Sequence, residues 1–135
     1  MKKVVIAVFI AFTLYACTNK KAQSKAVLDE VIKIHDKVMG ADEQLMRNKL
    51  QLDTLVKQNK LTGNDTAKLL ITKLTLADST METWMHNFDP DHTGKSDDET
   101  LTYMNSQKKQ IMTIDSGINA AVAESNKYLG KIKRK

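Results

Sequence analysis

One proline, five glycines and one cysteine are all that 135 residues contain of the three types that most constrain a backbone. So little turn chemistry excludes a sandwich or barrel of many short strands, and a lone cysteine excludes an internal disulfide. Aromatic residues are also scarce, at 5%. No GxSxG elbow, P-loop or HExxH occurs, so the sequence nominates no catalytic residue. The longest apolar run, Val4 to Ala16, is too short for a stable membrane-spanning helix, which needs about 20 apolar residues. What the chain does have is 41% hydrophobic residues and 27% charged residues of both signs. That is too hydrophobic and too mixed in charge for a disordered chain, and it fits one modest, mostly helical domain.

The first residues read as an export signal. Lys2 and Lys3 form a charged n-region, Val4 to Ala16 a short apolar region, and small Ala16 precedes Cys17. Leu14-Tyr15-Ala16-Cys17 resembles the lipobox of bacterial lipoproteins. That resemblance implies a signal peptide over residues 1–16, lipid attachment at Cys17, and anchorage in the bilayer by more than one acyl chain. Ordinary cleavage after Ala16 is the alternative, but it would leave a free thiol in an oxidising compartment, and Leu14 is bulky for that enzyme. Thr18 stands where an inner-membrane retention signal often has Asp, so the expected address is the cell envelope, with the periplasmic face of the outer membrane as default.

The formal charge is +5 for the whole chain, and removal of residues 1–16 takes two lysines with it. Much of the remaining excess is local. Lys127, Lys131, Lys133, Arg134 and Lys135 crowd the last nine positions, with 133–135 as a basic tail. Cations there complement a helix C-terminus or touch an anionic surface, and an exported chain meets little nucleic acid. Residues 17–25, the lipidated Cys and a polar stretch, are expected to act as a tether for a domain over 26–132.

Within that domain, Val27, Val31, Ile34, Val38, Ala41, Leu45, Leu52 and Leu55 alternate steps of four and three, broken only at Asn48. This heptad-like stripe predicts a helix over roughly 26–58. Leu61-Thr62-Gly63-Asn64-Asp65 then supplies a C-terminal glycine and an N-cap. A second stripe, Ala67, Leu70, Leu74, Ala77, Met81, Trp84 and Phe88, stops at Asp89-Pro90. Ser96-Asp97-Asp98-Glu99 is a capping box. It opens a third helix with apolar Met104, Ile111, Ile114, Ile118, Ala121, Tyr128 and Ile132, interrupted by Gln107 and Ser125. Short connections make neighbours antiparallel, so the expected fold is an all-α, up-down-up three-helix bundle, or four helices if the first breaks at Gly40.

Four places could carry chemistry. Antiparallel pairing brings His35 and His86 to nearly one height, with Met39, Met85 and Met104 close by; imidazoles and thioethers suit copper or haem. Against that, His86 lies about 200° around the helix from inward Trp84, and methionine is a common core filler. The loop from Asp89 to Asp97 opens like an EF-hand calcium loop, but its twelfth position is Thr100 instead of Glu, which favours an ordinary polar turn. Trp84 and Phe88 suit a partner-binding anchor or, more simply, the core. Asp97-Asp98-Glu99 is most simply a favourable charge set at a helix N-terminus.

The lipobox, the segment Val31-Ile32-Lys33-Ile34-His35-Asp36-Lys37-Val38-Met39 and the later Trp84-Met85-His86-Asn87-Phe88 together resemble small Bacteroidota lipoproteins, some labelled "viral A-type inclusion protein". The resemblance implies helicity and an envelope location and brings no activity, catalytic residue or cofactor. The expectation is therefore a non-enzymatic, membrane-anchored interaction or structural module with an envelope protein partner or a second copy of itself. A periplasmic metal- or haem-binding module is the alternative.

Overall fold

Three helices run the length of the chain. The computed structural model describes residues 2–61 and 65–132, with side chains from Asn19 onward. Helix α1 spans Lys2–Lys57, α2 Asp65–Asn87 and α3 Asp97–Ile132. Among the described residues there is no strand, and each helix packs on the other two. The result is the expected three-helix bundle, with α2 antiparallel to both neighbours and α1 parallel to α3. Helix α1 passes through Gly40 unbroken, so the four-helix alternative is not realised.

One helix boundary differs from the sequence reading. Residues 18–25 are helical and continue α1, where a polar tether was expected. Their composition explains it: Lys20, Lys21, Ala22, Gln23 and Lys25 are good helix formers, Ser24 is buried, and Lys20 Nζ lies 2.6 Å from Asp98 Oδ1 on α3. At its other end α1 stops at Lys57, as the stripe predicts. Asn59 takes a left-handed conformation (φ 50°), Lys60 N–H donates to Leu55 C=O and Asn59 N–H donates to Val56 C=O, both at 3.1 Å. This is a Schellman cap with asparagine in the position usually held by glycine. The signal peptide and Cys17 fall on side chains outside the described residues. So do Thr62, Gly63, Asn64 and the tail at 133–135.

The core follows the stripes. Val31, Val38, Leu45 and Leu52 of α1, Ala67, Leu70, Leu74, Met81 and Trp84 of α2, and Ile111, Ile114, Ile118 and Ala121 of α3 form one buried cluster. In α1 the buried residues Ser24, Val31, Val38, Leu45 and Leu52 repeat every seventh residue, and Asn48 is buried between the last two. In α3 they alternate by four and three from Thr100 through Met104, Gln107, Ile111, Ile114, Ile118 and Ala121 to Ser125. The next buried residue is Leu129, with Tyr128 only half-buried. An α-helix of 3.6 residues per turn drifts about 20° per heptad, so along 36 residues the inward position slips by one.

Candidate functional site

The three polar residues that interrupt the stripes are the first feature that packing alone does not explain. Asn48 is buried on α1, and its Nδ2 donates to Ser125 Oγ at 2.8 Å and to Asn126 Oδ1 at 2.9 Å on α3. Gln44 Nε2 donates to Asn48 Oδ1 at 2.8 Å, and Ser125 Oγ donates to Ala121 C=O at the same distance. On the other side of the core, Trp84 Nε1 donates to Gln107 Oε1 at 2.8 Å. Asn48, Gln107 and Ser125 thus each have a partner on a named neighbouring helix, and such contacts specify which heptad faces which.

Ion pairs repeat the same alignment on the surface. Lys20 with Asp98 and Lys37 with Asp115 join α1 to α3, each 78 residues apart, and the Asn48–Ser125 bond spans 77. Glu30 with Lys108 adds a further pair of the same kind. All of these separations lie within one residue of eleven heptads, so α1 and α3 present the same phase to each other from Lys20 to Asn48.

Between α2 and α3 the packing is open. A groove widens to about 660 Å³ beside Trp84, Asn87 and Gln107, and continues as a volume of about 420 Å³ toward the Lys73–Glu124 ion pair. Its walls are mostly small: Ala77, Thr80, Thr113, Gly117 and Ala120. Leu76 lies on its edge with 66% of its surface exposed. A Cβ added at Gly117 would meet nothing within 4 Å. Short side chains at successive turns leave the two helices in contact only along one seam, and the groove is the space that longer ones would fill.

The histidine–methionine zone is not a cluster. Met104 is fully buried, whereas Met39 and Met85 are each 39% exposed. The His35 ring lies 6.3 Å from Trp84 and its Nδ1 is 3.2 Å from Asp36 Oδ1. His86 is exposed, with Nδ1 3.3 Å from Glu82 C=O in its own helix. The common height is real, but the rings face different ways, and among the described residues no group of three or more His, Cys, Asp or Glu is arranged to hold a metal ion. Trp84 is a core residue, stacked on Phe88 at 5.0 Å, and Phe88 in turn lies 6.4 Å from Tyr103.

In the loop after α2 the carboxylates are already engaged. Asp89 Oδ1 accepts from Asp91 N–H, and Asp91 Oδ1 accepts from both the N–H and the hydroxyl of Thr93, at 2.6 to 2.9 Å. These bonds hold both carboxyls below the usual aspartate range. Lys95 Nζ stands 3.3 Å from Asp89 Oδ2, so a cation already occupies the other oxygen of that carboxylate. Gly94, at φ 81°, makes the left-handed step. The capping box forms as expected: Ser96 N–H and hydroxyl donate to Glu99 Oε2 at 2.8 Å, and Glu99 N–H returns a 3.3 Å bond to Ser96 Oγ.

One half-buried carboxylate has no such support. Asp42 Oδ1 is closed off from solvent without a hydrogen-bond partner. Desolvation, then the charges of Asp78 and Glu82 on α2, raise its pKa above the ordinary value.

No family model, curated protein or solved structure matches this chain.

Proposed function

We propose that the protein is a non-enzymatic helical module of the cell envelope, anchored through acylated Cys17, whose α2/α3 groove receives an apolar-faced helix of another envelope protein. The observation that carries this reading is the groove. It follows α2 from Lys73 to Asn87, about 21 Å or four turns of helix. Two helices in contact along one seam form a straight trough, and the element that fits such a trough is a third helix laid into it. Exposed Leu76 and the small side chains of the walls supply apolar contact without obstruction. The lipobox resemblance supports the anchor, and the helical backbone that runs from Cys17 into the bundle would hold the module upright on the membrane. Among the described residues no helix is long and apolar enough to cross a membrane, so the lipid is the attachment this reading requires.

The test is in-cell photo-crosslinking. A photoreactive residue at Leu76 should capture one dominant envelope protein, while the same residue at Leu50, 69% exposed on α1, should not. Equal capture at both positions, or capture of only a second copy of this chain, overturns the groove assignment. Intact mass of the purified protein tests the anchor separately, with acyl groups on Cys17 expected and a free thiol overturning it.

A further inference from the structure

A second cavity, of about 370 Å³, lies at the end of the bundle where α3 begins, between the start of the described side chains on α1 and the loop before α3. It is lined by Lys21, Ser24, Lys25 and Leu28 of α1, by His92 and Lys95 of the loop, and by Asp97 and Thr100 of α3. Three lysines and a histidine converge there on a single acidic group. Lys95 is shared with Asp89, but among the described residues no carboxylate pairs with Lys21 or Lys25. Ser24 turns its hydroxyl to the Lys21 carbonyl at 3.0 Å and so neutralises neither lysine. His92 adds a second observation: both of its ring nitrogens are buried, and no protein group hydrogen-bonds either one. Buried polar atoms in folded proteins nearly always have partners, so two unpartnered ring nitrogens beside a basic cavity mark unused hydrogen-bonding capacity, which a ligand in the cavity reaches when the ring turns toward it.

We infer that this cavity binds a phosphate group, and that its source is a lipid headgroup. A compact, doubly or singly charged oxyanion matches several ammonium groups and an imidazole N–H, each of which forms stronger hydrogen bonds to an ionised acceptor than to a neutral one. The choice of a lipid rests on the anchor reading above. Lys21 and Lys25 follow Cys17 by four and eight residues on a continuous helix, one face of it, so they stand roughly 6 and 12 Å along the axis from the attachment residue. The headgroup layer is about 5–8 Å thick on each side of the hydrocarbon. Acylation of Cys17 therefore places Lys21 at headgroup depth and Lys25 just beyond it, within reach of a long flexible lysine stem, so the mouth of the cavity faces phosphates at high local concentration. The carboxylate of Asp97 opposes the anion and limits affinity.

The experiment uses the full chain purified from its own membranes, with the His92 ring Cε1–Hε1 resonance as readout. In phosphate-free maltoside detergent, inorganic phosphate should move that resonance saturably. K21A/K25A, both exposed residues, should weaken the response by roughly tenfold or more, Asp97→Asn should strengthen it, and the distal, charge-matched K68A/K127A should leave it unchanged. In nanodiscs of neutral glycolipid, addition of phosphatidylglycerol should move the same resonance without free phosphate. No saturable shift, or equal shifts in K21A/K25A and the control, overturns the site. A shift with inorganic phosphate and none with phosphatidylglycerol overturns the lipid assignment and identifies the ligand as free phosphate. Intact mass of the same preparations reports acylation, so failure of the anchor is seen apart from failure of the cavity.

Discussion

The α1/α3 contact and the α2/α3 contact are built from the same kind of heptad stripe and reach different results. Along α1/α3 the helices are parallel and in phase, with Lys20–Asp98, Glu30–Lys108 and Lys37–Asp115 at one spacing outside and Asn48–Ser125 at nearly the same spacing inside. Along α2/α3, among the described residues, a single surface ion pair, Lys73–Glu124, and one buried side-chain bond, Trp84–Gln107, accompany a groove walled by small residues. Apolar periodicity is thus enough to bring helices together. Polar residues fix their register, and side-chain size decides whether the seam closes or leaves room for something else.

The largest expected effect comes from the closed side. Leu45→Ala, at a position with no exposed surface, should destabilise the domain by about 2–5 kcal/mol in urea unfolding, since it creates a cavity with no room to collapse. The same truncation of Leu76, on the groove edge, should cost well under half as much, and comparable losses would remove the distinction between the two seams. Asn48→Ala should follow at about 1–3 kcal/mol, because Gln44, Ser125 and Asn126 lose their partner. The paired change N48L/S125A sharpens the comparison. It should restore or raise stability while loosening the register, read as cysteine crosslinks between α1 and α3 appearing one heptad away from the native pairing. A double variant that remains in a single register would show that the surface ion pairs suffice.

Much of this was legible before any coordinates, and what was not has a physical reason. The stripe through Val31, Val38, Leu45 and Leu52 gave α1 its buried face because burial of a long helix is periodic, and Ser96 with Glu99 marked the start of α3 because the capping box is local. Asn48, Gln107 and Ser125 were visible only as interruptions. That they meet partners across the core depends on which heptad of α1 lies beside which heptad of α3, and one sequence does not state that alignment. Helicity over residues 18–25 was missed for a similar reason: Lys20 finds Asp98 and Ser24 finds cover only once α3 lies alongside. The end of α1 near residue 58 was legible because the apolar stripe stops there, whereas the residue that caps it, Asn59, carries no signal as strong as glycine. The groove and the basic cavity are properties of packed side chains, and neither has a motif.

Smaller effects probe local structure. Ser96→Ala removes the oxygen that accepts from Glu99 N–H and should cost about 1 kcal/mol, measured by the same unfolding. Gly117→Ala should work in the other direction. Alanine favours a helix over glycine by about 0.8–1 kcal/mol, and the added Cβ meets nothing within 4 Å, so the variant should be more stable by up to about that amount. Its methyl group narrows the groove, so partner capture at Leu76 should fall even as stability rises. Stability and capture rising together would separate Gly117 from the interaction surface.

The smallest expected effect is the pH dependence of Asp42. Its folded pKa is raised, mainly by desolvation and then by Asp78 and Glu82, so the folded state holds a proton that the unfolded chain, with its ordinary value of 3.8, has already released. Its contribution to stability is therefore complete below that value and lost as pH rises through the folded pKa. Asp89, Asp91 and Glu99 run in the opposite sense. Hydrogen bonds from Asp91 N–H, the Thr93 hydroxyl and Ser96 N–H, respectively, are the largest causes of their lowered pKa values, so their contribution is present at neutral pH and lost only as pH falls through those lowered values. The two slopes overlap in wild-type protein, and the difference between wild type and Asp42→Asn isolates the first. The asparagine keeps the shape and removes the charge that faces Asp78 and Glu82, so it should be more stable than wild type at neutral pH, with the advantage shrinking toward acid. Lys49, 3.9 Å from Asp78, already offsets part of that repulsion, which keeps the expected change small. An advantage that is constant across the acid range would mean that the missing hydrogen-bond partner of Oδ1, and not the charge, is what Asp42 costs the α1/α2 seam.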